Sequence, residues 1–281
     1  MNVVRLGAAV LTVALVGCGS SSSGNAGTGG VPGAGGTGGS GGVRSPTELV
    51  APTETSYTTE RGDVHTECRG RTTGVPVILM AGGTDRADTW DELRDALGDD
   101  ALTCAFTRPG ALPSYLLAEP YTPQLFADSL AEVLPQLGIG ERFVFVAHSF
   151  GGLTLRVFGA SSAAQIAGAL FLDPTIPPDD DPVLVAEVER ENIDAAAAAA
   201  QAHAASSWAA EAPVTVLSHD PEWALQSGLW TEAQQTAWDA GQLDYAALTD
   251  NGTQRNVPGA EHYIYRTNLE EVVQEIEALL P

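Results

Sequence analysis

Lysine is missing from the 281-residue chain: all 13 basic side chains are arginine, against 36 acidic ones, for a formal net charge of -23. A surface this negative repels nucleic acid and anionic lipid headgroups, so neither is an expected partner, and membrane contact through surface charge is excluded with them. Cysteine is scarce, at positions 18, 68 and 104, and histidine occurs five times. Neither type recurs at ligand spacing, so no metal is expected. No nucleotide-cradling loop is present either, because the long glycine tract precedes no strand and helix in register, and no cofactor is implied. The apolar run near the N-terminus is too short to be a convincing membrane-spanning helix.

What is there begins with residues 1–17, one arginine followed by an apolar stretch that ends at Leu15-Val16-Gly17, just before Cys18. That is the shape of a signal peptide. It resembles a bacterial lipoprotein signal, whose last residue before cleavage precedes a cysteine that becomes lipidated, and Cys18 holds that position. An ordinary secretory signal with an incidental cysteine is the alternative. Residues 18–45 follow as a tether, with twelve glycines between positions 19 and 42, a composition that cannot supply a core. The resemblance implies an exported, membrane-attached protein, in the outer membrane of a Gram-negative cell, with its domain in the periplasm or outside the cell. Residues 46–281 are the right length for one globular domain. In an exported protein Cys68 and Cys104 permit one disulfide, and two buried free thiols are the other reading.

Within that domain, apolar runs alternate with helical patterns. Residues 63–69, 75–80, 101–106, 143–147, 166–172, 213–217 and 253–257 read as strands. Residues 85–97, a segment opened by Thr122-Pro123, residues 153–159 and a segment opened by Asn268 with Glu271 three residues on read as helices. Strand, helix, strand, helix is the order of an α/β fold with a mostly parallel sheet covered on both faces. Residues 183–210, with six consecutive alanines, have helical propensity but few large apolar side chains. They suit either a small helical cap within 175–212 or a solvent-facing connection. Trp223, Leu225, Leu229, Trp230 and Trp238 concentrate beyond it, as core or as the lining of a mouth.

The stretch Phe143–Gly152, FVFVAHSFGG, reads as a buried strand that delivers Ser149 at a sharp turn into a helix. Small residues at 147 and 151 leave room for a backbone that bends there. In an open α/β sheet, ligands sit at the carboxyl ends of strands. Gly82 and Gly83, Ser149, Asp173, Asp220 and His262 all follow strands, in the order serine, aspartate, histidine. A serine hydroxyl needs a neutral imidazole to take its proton, and the imidazole needs a carboxylate to fix its tautomer. Of the remaining histidines, His65 and His203 have no chemistry nearby, and His219 lies by a strand end, within possible reach of substrate.

The motifs resemble those of the α/β-hydrolase superfamily, on its esterase and lipase side, over residues 60–281. They are similar in particular to bacterial members reading C-x-G, C-x-x-D-R-x-G, G-H-S-x-G-G, L-V-D-P and H-Y-I. Here those stand as Cys68-Arg69-Gly70, Cys104 to Gly110, Ala147 to Gly152, Phe171 to Pro174 and His262-Tyr263-Ile264. Thr107 replaces the usual aspartate, and Ala81 the histidine of an H-G motif. The resemblance implies the α/β-hydrolase fold, Ser149 as nucleophile, His262 as base, a supporting role for His148, and a Cys68–Cys104 bridge. The acid is open between Asp173, which matches L-V-D-P, and Asp220, which follows the strand most relatives use but also reads as a helix cap. The oxyanion hole is assigned to the N–H groups of Gly83 and Phe150. The implied function is hydrolysis of a small carboxylic ester through an acyl-enzyme, with no obligate protein partner. An amidase or other chemistry on the same three residues, and a non-catalytic surface binding module, are the alternatives.

Overall fold

The computed structural model describes residues 49–71, 74–179, 181–208, 211–228 and 230–281. The signal-like segment, Cys18 and the glycine-rich part of the tether lie outside the described residues, as does Leu229. The first element, β1 (Leu49–Thr59), is a strand the sequence reading did not anticipate. Pro52 and a run of Thr, Ser and Glu obscure its pattern, and both features are tolerated because it forms a sheet edge.

The other strands are β2 (Gly62–Arg71), β3 (Val77–Met80), β4 (Thr103–Phe106), β5 (Phe143–His148), β6 (Ile166–Leu172), β7 (Val214–Ser218) and β8 (Gly252–Asn256). They lie in the order β1-β2-β4-β3-β5-β6-β7-β8. The β1–β2 and β2–β4 pairings are antiparallel and every later one is parallel, so the expected mostly parallel sheet is present. Central strands such as VILM and FVFVAH are buried along their whole length because helices cover both faces.

A 3₁₀ turn at Ala87–Trp90 leads into α1 (Asp91–Leu97), and α2 (Pro123–Leu137) and α3 (Phe150–Ser162) follow. Thr122 caps α2, its hydroxyl accepting from the Leu125 N–H with Pro123 at the first turn. On one face of the sheet Ile78, Phe145 and Phe171 pack with Leu130, Val133 and Phe158 from α2 and α3. On the other, Leu79, Val146 and Leu170 meet Trp90 and Leu93, and also Val272 and Ile276 near the C-terminus. Neighbouring residues of one strand thus enter opposite cores, as a two-residue period requires.

The alanine-rich region is two helices rather than one: α4 (Pro182–Arg190) and α5 (Ala195–Ala204). Asn192, at φ 57°, takes the left-handed turn that ends α4, and the Asp194 carboxylate restarts the chain by accepting from the Ala197 N–H. Stop and cap signals outweigh the propensity of the alanines. Those alanines have a packing role, since Ala195, Ala198 and Ala202 are buried against Phe126, Phe150 and Leu153, and α5 is not a solvent-facing connection.

The remaining helices are α6 (Pro221–Gln226), α7 (Glu232–Ala246), α8 (Ile264–Thr267) and α9 (Leu269–Leu279). The expected capping box at Asn268 does not form: its side chain makes no cap hydrogen bond. The short α8 has already turned the chain, and the Asn268 N–H is used in a bond to the Ile264 carbonyl.

Candidate active site

Ser149 stands between β5 and α3 at φ 51°, ψ -122°, a conformation that costs a non-glycine residue about 1–3 kcal/mol. Three hydrogen bonds hold it there: Ser149 N–H to the Leu172 carbonyl at 3.1 Å, and to its own carbonyl the N–H groups of Gly152 at 2.8 Å and Thr175 at 3.0 Å. A Cβ on Gly151 would lie 2.6 Å from the Met80 carbonyl oxygen and 2.8 Å from that of Ala81. The close approach that demands a small residue at 151 is therefore to the end of β3, whereas the sequence reading located it between 147 and 151.

The hydroxyl so presented is half-buried, with Oγ 3.1 Å from His262 Nε2. His262 lies between β8 and α8, and its Nδ1 is 2.6 Å from Asp173 Oδ2. Three residues far apart in sequence thus form one hydrogen-bonded chain. Asp220 is elsewhere: its carboxylate accepts from the Glu222 N–H at 2.8 Å and the Gly259 N–H at 2.7 Å, capping α6 and tying it to the turn after β8. A further hydroxyl, Thr175 Oγ1, lies 3.2 Å from Ser149 Oγ. No sequence signal marked it, because its place depends on how residues 174–178 leave β6.

Asp173 is completely buried, itself at φ 44°, and its N–H is fixed by the Leu217 carbonyl. Burial alone would raise its pKa, but hydrogen bonds from His219 and His262 outweigh it and hold the carboxyl well below the ordinary range. Its Oδ1 also accepts from the Trp238 indole N–H at 2.8 Å. His219, noted from sequence only as a residue near a strand end, is thus a direct partner of this carboxylate, 2.8 Å from Oδ2 and 2.9 Å from Oδ1. The signal lay in its position just after β7, beside β6.

His148 supports the base from below. Its Nε2–H donates to the His262 carbonyl at 3.1 Å, and its Nδ1 is buried without a hydrogen-bond partner among the described residues. Burial, with His262 nearby, drives its pKa well down, so it is a neutral donor.

Residues 77–275 match the family model described as the alpha/beta hydrolase family. The chain belongs to that family. It is similar to an esterase of Mycobacterium tuberculosis, 40% identical over 103 residues, which are 36% of this chain and 33% of the esterase. It is also similar to an uncharacterized protein of Schizosaccharomyces pombe, 30% identical over 83 residues, 30% of this chain and 16% of that protein. The chain therefore aligns with a third or less of the length of these two relatives. Among solved structures, a thermophilic esterase from Thermogutta terrifontis superposes with a TM-score of 0.57 at 19% identity, covering 80% of this chain and 97% of that one. A carboxylesterase from Bacillus subtilis gives 0.59 at 16%, covering 82% and 92%. At such identities the likeness is one of fold.

Seen as an alpha/beta hydrolase, the chain explains one of its own departures from the pattern. The Thr107 hydroxyl, where an aspartate is usual, accepts from the Ala87 N–H at 3.0 Å and so fixes the 3₁₀ turn after β3. Its neighbour Arg108 donates through Nε to the Gly83 carbonyl and through Nη2 to Glu191 Oε2 at 2.9 Å. Glu191, at the end of α4, lies over the glycine loop so closely that a Cβ on Gly83 would be 2.1 Å from its Oε2. Arg108 therefore joins the loop after β3 to the α4–α5 excursion. Neither the Gly83 N–H nor the Phe150 N–H has a hydrogen-bond partner among the described residues. A cavity of about 40 Å³ beside Phe150, Phe126 and Arg108 has no contribution from Ser149, Asp173 or His262, and has room for a few waters at most. Among the described residues no group of His, Cys, Asp and Glu could hold a metal ion.

Proposed function

We propose that the protein is a serine hydrolase that cleaves a small carboxylic ester through an acyl-enzyme. The observation that carries this reading is the unbroken chain from a half-exposed Ser149 hydroxyl through His262 to a fully buried Asp173. Asp173 accepts the Nδ1–H of His262 and leaves Nε2 as the base. As Oγ attacks the ester carbonyl, Nε2 takes its proton. The carbonyl oxygen becomes an oxyanion facing the N–H groups of Phe150, at the start of α3, and Gly83. His262 then gives its proton to the leaving alcohol, and the acyl group remains on Ser149. Water attacks that acyl group by the same path in reverse, with His262 again as base, and releases the acid. Amide hydrolysis would use the same three groups and needs only a leaving amine in place of the alcohol.

The lipid anchor at Cys18 and export across the inner membrane belong to the same proposal. A disulfide between Cys68 and Cys104 supports an oxidising compartment.

The test is covalent labelling of the full chain by a fluorophosphonate, followed by a panel of aryl esters of rising acyl length with matched anilides. An adduct on the peptide containing Ser149, and turnover of short esters ahead of anilides, is the expected result. A folded sample that takes no label would point instead to a binding module built on a hydrolase fold.

Arg108 allows a finer check on the glycine loop. Arg108→Met frees the Gly83 carbonyl and leaves Glu191 without its cation, so the loop loses its fixed orientation. Deleting an oxyanion donor costs on the order of a hundredfold or more in kcat, and loosening one should cost about tenfold, with KM little changed. A fall in KM-limited binding alone, at constant kcat, would mean that Arg108 serves the substrate pocket and not the oxyanion.

A further inference from the structure

We propose that His219 is a permanently charged positioning residue for the triad acid: an imidazolium that grips both oxygens of Asp173 and offsets their charge. This rests on reading Asp173 as the acid of the reaction above.

The ring's hydrogen bonds require the charge. Nδ1 faces two carboxylate oxygens, at 2.9 and 2.8 Å, and a carboxylate only accepts, so Nδ1 carries a proton. Nε2 faces Gln235 Oε1 at 3.0 Å. The orientation of that amide is fixed from its other end, where Gln235 Nε2 donates to Asp239 Oδ1 at 2.8 Å. An amide oxygen only accepts too, so Nε2 also carries a proton. A histidine that donates from both nitrogens is a cation.

The surroundings suit a cation. The indoles of Trp230, Trp223 and Trp238 lie at centroid distances of 5.2, 5.5 and 6.0 Å from the ring, within the range of cation–π attraction. The groups facing it are Asp173 at the end of β6, Gln235, Trp238 and Asp239 of α7, Trp223 of α6, and Trp230 before α7. The Asp220 carboxylate sits next to it in the chain. Burial opposes the charge, but the bond to Asp173 prevails and the pKa is raised.

His219 thereby explains how a carboxylate with no solvent exposure stays ionised beside a neutral His262. Its charge is compensated from the side away from Ser149, and its orientation is set by donors on both oxygens, including the His219 N–H at 3.3 Å. The same positive charge opposes a second one on His262, so it holds down the pH at which that base becomes blocked by protonation.

The test reads the proton directly. In the full chain labelled with ¹⁵N-histidine, the His219 ring is identified by the signal missing from His219→Gln. At neutral pH both of its nitrogens should be protonated, and a bare Nε2 would overturn the proposal. This readout needs no turnover, so it stands apart from the assignment of ester hydrolysis, whose failure would show as a wild-type protein that neither labels nor turns over. In the rate of fluorophosphonate labelling, His219→Gln should move the acid limb up by about one pH unit, roughly a tenfold loss below the limb. Gln235→Met, which keeps His219 in place if His219→Gln folds poorly, should move it the same way by a smaller amount. A uniform loss of rate with the limb unmoved would mean that His219 is packing only, and the proposal would fall.

Discussion

Asp173→Asn should lower kcat/KM for an aryl ester by about 10⁴-fold, while Asp220→Asn leaves it within about twofold of the wild type. The two aspartates follow adjacent parallel strands, and the sequence alone left the choice between them open. Asp173 Oδ2 receives His262 Nδ1 at 2.6 Å, so an amide in its place puts either a poorer acceptor or a competing N–H against the base, and the imidazole turns to the wrong tautomer. The fold also suffers, because four donors converge on this carboxylate: His219 Nδ1, the His219 N–H, Trp238 Nε1 and His262 Nδ1. An amide nitrogen among them leaves a buried donor unpaired, at about 1–3 kcal/mol. Asp220 has a different task, and asparagine caps a helix as well as aspartate does. Steady-state rates on both variants, with melting curves to show that each is folded, settle the matter. Equal small losses from both would mean that neither carboxylate orients His262.

The parts legible in the sequence were those in which local pattern and tertiary role coincide. β3, β5 and β6 are buried on both faces, so continuous apolar runs marked them within two residues of their true ends. Thr122-Pro123 marks the start of α2 because its hydroxyl and its fixed φ each perform one local function. Ser149 and His262 were named by residue type and by their place after strands. What stayed hidden depends on partners distant in the chain. β1 has no apolar alternation because it needs only to pair with β2. Asp173 and Asp220 look alike until it is known which carboxylate His262 can reach. His219 and Thr175 belong to no local motif, and only the packing of α7 against the ends of β6 and β7 shows that three of the five tryptophans gather round one histidine. Gln235 and Asp239, four residues apart on a mostly polar helix, would pass for surface residues.

Removing the Cys68–Cys104 bridge should have the second-largest effect, on stability. The cysteines are directly opposite in the antiparallel pairing of β2 with β4, their Cα atoms 4.1 Å apart, and both are buried. A separation of 36 residues closes a loop whose entropy in the unfolded chain is worth about 4 kcal/mol in the chain-entropy model. That is a few hundredfold or more in the folding equilibrium. For a domain of this size the Cys68→Ala, Cys104→Ala double variant should melt about 10 °C lower, as read by circular dichroism with urea titration for the free energy. The site lies beyond β2 and β4 from the bridge, so the variant should keep most of its kcat at temperatures where it is folded. Location makes the difference informative. The bridge joins the antiparallel β1–β2 pair to the parallel sheet, and without it that end of the sheet is held only by ladder hydrogen bonds and packing. Protein made in a reducing cytoplasm should therefore resemble the double variant in its melting temperature, and exported protein should not. Identical melting of wild type and double variant would mean that the two thiols never pair in the folded chain.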